Sequence, residues 1–323
     1  MQENHEKPLF NTATIIGIGL IGASLAYELQ AHHMAEHIVI ADINDAHCQE
    51  AMKLGLGDRA TTNIADAVKD ADLVIIATPV GAFATIGQII QHNLKEGAIV
   101  TDVGSVKQSV IKDLSPFIPD HAHFVPAHPI SGAEKSGPDA GFLGLFENRW
   151  TIITATEQTD KNAVSKIKEM WEMTGAHVDE MTAEHHDKVF AITSHLPHLI
   201  AYSIVGTADD MERHLKAEVI KYSAGGFRDF TRLAASSPEM WRDIFLTNKE
   251  AVLEVLQRFT EDLIALQRSI RWDEGDALHD LFTRTAEIRR SIIDQQQHKF
   301  LKPKTETETE TKEGEADAHT KTA

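Results

Sequence analysis

The chain has 323 residues, with 31 lysines and arginines against 49 aspartates and glutamates and a formal net charge of -18. That length suggests two domains, and an acidic balance without basic stretches argues against nucleic acid and anionic membrane surfaces as partners. The single cysteine, Cys48, excludes an internal disulfide and fits a reducing cytoplasmic setting. Residues 1–11 hold Glu3, Glu6 and Pro8 but no apolar signal core, and no run reads as approaching the roughly 18 apolar residues of a membrane span.

In chain order, strand-like runs are predicted at 12–17, 37–42, 72–77, 97–102, 122–126 and 150–155, with helical patterns between most of them and an edge strand at 176–181. This rhythm implies an α/β fold with a doubly wound parallel sheet of the Rossmann type. The opening unit carries the clearest chemistry. A β-branched run enters Gly17-Ile18-Gly19-Leu20-Ile21-Gly22, a helix-forming run leaves it, and Asp42 closes the second strand. Gly17 permits a tight turn, Gly19 lets backbone N–H groups approach a pyrophosphate, and Gly22 lets the helix pack close to its strand. Leu20 and Ile21 open the helix whose N-terminus faces the phosphates. Asp42 is placed to accept hydrogen bonds from ribose hydroxyls and would repel an extra phosphate, so NAD is expected over NADP. Thr78 and Pro79, after the strand at 72–77, complete the expected cofactor set.

The strand at 97–102 ends in TDVGSVK, which places Asp102, Gly104, Ser105 and Lys107 at the C-terminal edge of the sheet, where ligands bind in such folds. Ser105 can also cap the helix that follows. Next comes His128-Pro129-Ile130-Ser131-Gly132-Ala133-Glu134, too polar and glycine-rich for a core element. A histidine here suits a general base near neutral pH, and Pro129 restricts its backbone.

After about residue 182 helical periodicity takes over through about residue 298, so a second, all-helical domain is expected. The expected boundaries are 1–181 for nucleotide binding, 182–300 for the helical part and 301–323 for a polar, low-complexity tail expected to be disordered. Ser194-His195-Leu196-Pro197-His198 puts two histidines three apart on one helix side. Metal ligation is the alternative there, but no HExxH pattern or nearby thiolate supports it, and no metal is expected. Gly225-Gly226-Phe227-Arg228-Asp229-Phe230-Thr231-Arg232 is followed by Ser237-Pro238-Glu239-Met240-Trp241-Arg242; the two arginines and the acid after the glycine pair can build a carboxylate clamp or a surface salt-bridge network. Leu253, Val255, Leu256, Phe259, Leu263, Ile264 and Leu266 form an apolar stripe suited to a core or a subunit interface.

GIGLIGASLA from Gly17, DVGSVK from Asp102, HPISGAEKSGPDAG from His128, TSHLPH from Thr193 and GGFRDFTRLAASSPEMW from Gly225 together resemble the prephenate and arogenate dehydrogenases, over about residues 12–295. The resemblance implies NAD-dependent oxidative decarboxylation, in which hydride leaves the carbon bearing the ring hydroxyl and the ring carboxylate departs as carbon dioxide. In its terms His128 takes the hydroxyl proton and Ser105 contacts the same hydroxyl. Arg232 binds a substrate carboxylate with His198 and Trp241 nearby, while Glu134 and Asp229 hold or gate that arginine. It also implies a homodimer through the helical domain, and a monofunctional chain without a fused mutase or an ACT domain. Two rivals remain: a 3-hydroxyacid or 6-phosphogluconate-type dehydrogenase, and an NAD-sensing protein without turnover.

Overall fold

The computed structural model describes residues 7–132, 135–210 and 225–294. Contacts divide the chain into two compact units, residues 1–263 and 264–323. In the first, six parallel strands form the main sheet: β1 (Phe10–Ile16), β2 (Ala35–Ala41), β3 (Arg59–Thr61), β4 (Leu73–Ile76), β5 (Ile99–Asp102) and β6 (His123–Val125). Their order is β3-β2-β1-β4-β5-β6. The connecting helices are α1 (Leu20–Ala31), α2 (Asp45–Lys53), α3 (Ile64–Ala67), α4 (Phe83–Ile90) and α5 (Gln108–Leu114).

The central strands are apolar on both faces, as a sheet covered by helices on each side requires. Alternate side chains serve different cores. Ile15, Ile40, Leu73 and Ile75 pack with Leu25 and Leu29 of α1 on one face. Ile16, Val74 and Ile76 pack with Phe83 and Ile90 of α4 on the other. Strand order reverses between β1 and β4, so the turns that leave these two strands border the crevice where such sheets bind ligands.

The strand expected at 150–155 does not join this sheet. It forms β8 (Trp150–Ile153) of a second, three-stranded sheet, antiparallel to β7 (Ala127–Pro129) and parallel to β9 (His177–Glu180), with α6 (Lys161–Met173) between β8 and β9. The cause lies at Pro126, which has no N–H to extend the β6 ladder; its carbonyl accepts Thr154 N–H instead, at 3.0 Å. The chain thereby passes from one sheet to the other just before His128. Within the second sheet β9 is the edge strand expected from 176–181.

The described residues beyond β9 are helical: α7 (Ala183–Phe190), a π-turn (Ala191–His195), α8 (Leu196–Asp210), α9 (Gly225–Thr231), a 3₁₀ turn (Arg232–Ala235), α10 (Pro238–Thr247), α11 (Lys249–Arg271) and α12 (Gly275–Asp294). Ser237 caps α10 by accepting Met240 N–H at 3.3 Å, and Pro238 takes the first helical position, where no N–H is needed. The continuous run Ala183–Asp210 contains an 18-residue window of mean hydropathy 1.3, enough by length and composition to cross a membrane, which the sequence reading did not anticipate. Only 22% of that window is buried, and the run also carries the buried polar side chains His186, Asp187 and His195, bonded within the protein. Of the predicted apolar stripe, Leu253, Leu263 and Ile264 are exposed and Val255, Leu256 and Phe259 half-buried, so this stripe does not form a core of the single chain. The expected tail at 301–323 lies outside the described residues.

Candidate active site

The turn after β1 is built around missing side chains. Gly17 has φ +93°, and a Cβ there would lie 2.7 Å from the Ala77 carbonyl oxygen and 2.8 Å from Thr78 Cγ2. A Cβ on Gly22 would run into the Gly17 carbonyl, whereas Gly19 faces open space. Helix α1 starts directly after Gly19 with no side-chain cap, leaving the first-turn N–H groups from Leu20 and Ile21 onward open to an anion. Asp42, at the end of β2, is pinned beside this turn. Its carboxylate accepts Ile18 N–H at 3.0 Å and Asn44 N–H at 2.9 Å, and His47 Nδ1 stands 3.4 Å away. Lone pairs remain for ribose hydroxyls. Thr78 sits against Gly17 and Pro79 opens a 3₁₀ turn next to it. The uncapped helix, the open face at Gly19 and the anchored acid fit a dinucleotide. Ile43, which sequence reasoning missed, is 86% exposed beside Asp42, where an apolar platform for a base is needed.

The loop after β5 is held by a buried ion pair. Lys107 is fully buried; its ammonium donates to Asp102 and, at 2.7 Å, to the Ala127 carbonyl. Asp102 also accepts Gly104 N–H at 2.8 Å and Ala127 N–H at 3.2 Å. Burial pushes the Asp102 carboxyl up and the Lys107 ammonium down, and their mutual attraction opposes both shifts. Ser105, half-buried in this loop, does not cap α5. That role belongs to Asp187 of α7, whose carboxylate accepts Lys107 N–H at 2.8 Å and Gln108 N–H at 3.0 Å across some eighty residues of sequence. A carboxylate at a helix N-terminus satisfies two orphan donors and meets the positive end of the dipole, so it displaces the weaker hydroxyl.

Asp187 also begins a chain of imidazoles. His186 Nδ1 lies 2.8 Å from Asp187 Oδ1, and His186 Nε2 lies 2.8 Å from Nδ1 of His128 on β7. Phe190 packs edge-on against His128, with ring centroids 4.9 Å apart. Burial, then the neighbouring His186, Lys107 and His195, hold His128 well below the usual imidazole range. Burial lowers His186 as well, against the pull of Asp187. Burial alone would raise the Asp187 carboxyl, but bonds from His186 and the two backbone N–H groups outweigh it and hold it down.

The π-turn brings the next histidines to the same place. At about 100° per residue, a regular helix would set His198 roughly 120° around from His186 and His195 roughly 180° around; one extra residue in the turn cuts these to about 20° and 80°. His198 stacks on Trp241 at 3.7 Å between ring centroids, and its Nδ1 lies 2.9 Å from the Ser194 carbonyl. Burial, and then Arg232, lower the His198 pKa, which places the Arg232 charge near that ring. Val106 of the Ser105 loop packs with Trp241 and Ile244 of α10. His195 is fully buried; its Nδ1 lies 3.1 Å from Asn248 Nδ2, which also donates to the Asp187 carbonyl at 2.9 Å. Burial pushes the His195 pKa down to about 4.

Ser131 Oγ, His195 Nε2 and Trp241 Nε1 are buried without a hydrogen-bond partner among the described residues, which suits a region that receives a polar ligand. Of the residues expected to act on substrate, His128, His198 and Trp241 belong to one connected assembly, with Arg232 near His198 and Ser105 one residue before Val106, which packs on Trp241. Asp229 lies exposed on α9. Arg242 pairs with its neighbour Asp243 at 2.7 Å. Glu134 lies outside the described residues. Among the described residues no three His, Cys, Asp or Glu side chains are grouped to hold a metal ion.

Two family descriptions match the chain: "Prephenate dehydrogenase, nucleotide-binding domain" over residues 25–180 and "Prephenate dehydrogenase, dimerization domain" over 182–284. A cyclohexadienyl dehydrogenase of Zymomonas mobilis is 41% identical over 88% of this chain and 97% of its own length. A prephenate dehydrogenase of Bacillus subtilis is 36% identical over 89% of this chain and 77% of its own. Among solved structures, prephenate dehydrogenase of Aquifex aeolicus in complex with hydroxyphenyl propionate and NAD+ superposes with TM-score 0.81 at 37% identity, covering 88% of this chain and 98% of that one. Matched by both domain descriptions over residues 25–180 and 182–284 and by relatives along most of its length, the chain belongs to the prephenate dehydrogenase family.

Proposed function

We propose that this protein catalyses the NAD-dependent oxidative decarboxylation of prephenate, L-arogenate or both, giving 4-hydroxyphenylpyruvate or L-tyrosine. The observation that carries the reading is His128, a buried imidazole held neutral by its surroundings on β7, the strand that follows β6 off the same sheet edge as the nucleotide cradle. NAD, when bound, supplies the hydride acceptor. His128 takes the ring hydroxyl proton as the carbonyl forms and the C–H hydride leaves. Cleavage of the carbon–carboxylate bond releases carbon dioxide and sends its electron pair into the ring. His128 then returns the proton to the phenolate oxygen, so no net proton is consumed. Ser105 holds the same hydroxyl. Arg232, with His198 and Trp241, holds a substrate carboxylate, and Asp229 and Glu134 set the position of that arginine.

The acidic chain is no obstacle, because binding of a carboxylate depends on the cation local to it, and Arg232 lies near His198. The family matches over residues 25–180 and 182–284 support a division near residue 181 and a homodimer formed through the helical part; the proposed bounds are 1–181 and 182–300, and the proposed setting is the cytoplasm. Exposed Leu253, Ile264 and Ile270 on α11, Trp272 in the turn after it and Phe282 on α12 are suited to such an interface. The test is NADH formation by purified protein with NAD and either prephenate or L-arogenate in parallel. Turnover of one or both is expected, with His128→Asn falling by about 10²–10⁴ in kcat while NAD binding persists. Silence with both substrates despite NAD binding overturns the reading in favour of a sensor.

A further inference from the structure

We propose that His186 and Asp187 are positioning residues that fix the tautomer of His128, so that its Nε2 carries a lone pair toward the substrate. This rests on the reading of His128 as the base. The argument is a count of protons along three side chains. The Asp187 carboxylate offers acceptors only, so His186 must donate to it from Nδ1 at 2.8 Å. A neutral imidazole has one proton, which leaves His186 Nε2 as an acceptor. His128 must then donate from Nδ1 across the second 2.8 Å contact, and its own Nε2 is left basic.

The two outer ends of the chain are both fixed. Asp187 cannot rotate away without releasing the Lys107 and Gln108 N–H groups at the start of α5. His128 is confined by Phe190 and by the pairing of β7 with β8. His186 is wholly buried between them, in ring contact with both His128 and Phe190. The buried Lys107 ammonium nearby disfavours a second proton on either imidazole. The arrangement therefore performs with two imidazoles what an acid and one imidazole perform in a hydrolase triad.

The experiment compares His186→Gln, whose amide oxygen can still accept from His128 Nδ1–H, with His186→Leu, which cannot. Histidine ¹⁵N correlation spectra of the wild-type protein, with the His128 signals assigned by their loss in His128→Asn, should show His128 neutral and protonated at Nδ1. His186→Gln should keep that pattern and kcat within about tenfold, whereas His186→Leu should lose it and fall by about 10²–10⁴ in kcat with the KM for NAD unchanged. A proton on Nε2 of His128 in the wild-type protein overturns the proposal, and that result is readable even if His186→Leu fails to fold. Equal losses in both variants, or wild-type kcat in His186→Leu, also overturn it. Should His128→Asn retain turnover, the base assignment fails on its own, separately from the tautomer.

Discussion

Replacing Lys107 by methionine tests whether the ion pair behind the Ser105 loop holds the fold together. The side chains are similar in length, so the change removes charge and two donated hydrogen bonds more than volume. It leaves Asp102 fully buried with only the Gly104 and Ala127 N–H groups for partners, and the Ala127 carbonyl without its ammonium donor. Breaking a buried pair from one side costs about 3–5 kcal/mol. The two remaining N–H donors place the Asp102 part near about 3 kcal/mol, and the orphaned carbonyl adds about 1 kcal/mol. At about 2–4 °C per kcal/mol for a unit of this size, Tm should fall by roughly 8–16 °C, read by calorimetry or far-UV dichroism.

The sign of the pH dependence follows from Asp102. Burial already raises its pKa, and loss of Lys107 removes the main opposing term. A carboxyl raised in the folded state contributes stability below its unfolded value and loses it as pH rises, so the Tm deficit should be larger at pH 8 than at pH 5. Adding Asp102→Asn should recover at least half of the deficit. A Lys107→Met variant within 2 °C of wild type at both pH values, or a double variant no better than the single, would falsify this account; the 2 °C limit is set at about one half of the shift expected per kcal/mol.

Arg232→Met should raise the substrate KM about 10- to 150-fold, the equivalent of a lost charged hydrogen bond, with the KM for NAD unchanged; steady-state kinetics with equal losses for both would refute it. Gly17→Ala should abolish NAD binding by calorimetric titration, because φ +93° and the 2.7 Å approach to Ala77 both oppose a methyl group; wild-type affinity would contradict that geometry. His128, His186, His195 and His198 are all held below 6.5, so the unfolded chain binds more protons than the folded one and stability falls as pH drops from 6.5 toward 4. His195, lowered from 6.5 to about 4, accounts for about 3 kcal/mol of that loss, and a Tm at pH 5 equal to that at pH 7.5 would count against it. The acid limb of kcat/KM should likewise lie below pH 6.5, since a depressed base stays unprotonated there; a limb at or above 6.5 would show that His128 is not so depressed.

The nucleotide half was legible because its signals are local: β-branched runs, a glycine turn and an acid at fixed spacing each act within a few residues. The second sheet was not, since β7 is three residues long, contains Pro129 and departs at Pro126. A capping role for Ser105 was open beside its ligand-facing one because a serine before a helix is often a cap, and nothing local reveals that Asp187 arrives from eighty residues away. His186 and Asp187 were not singled out, because AEHHDKVF is mostly charged and polar. The available signal was their spacing to Phe190, since residues three and four apart share a helix face and that phenylalanine must be turned inward. The π-turn has no signature in TSHLPH beyond Pro197, which cannot continue a regular ladder.

That turn makes the active site sensitive to chain length as well as to chemistry. Deleting Ala191 or Ile192 would let the helix run regularly and would relieve a poorly bonded turn, yet it would swing everything downstream by about 100°. Every histidine named above would survive such an event, and the ring of His198 would leave its seat on Trp241. A descendant of this kind would keep the family's motifs letter for letter and lose its reaction. Spacing within Ala191–His195 is therefore as informative a mark of a working enzyme here as the identity of any side chain.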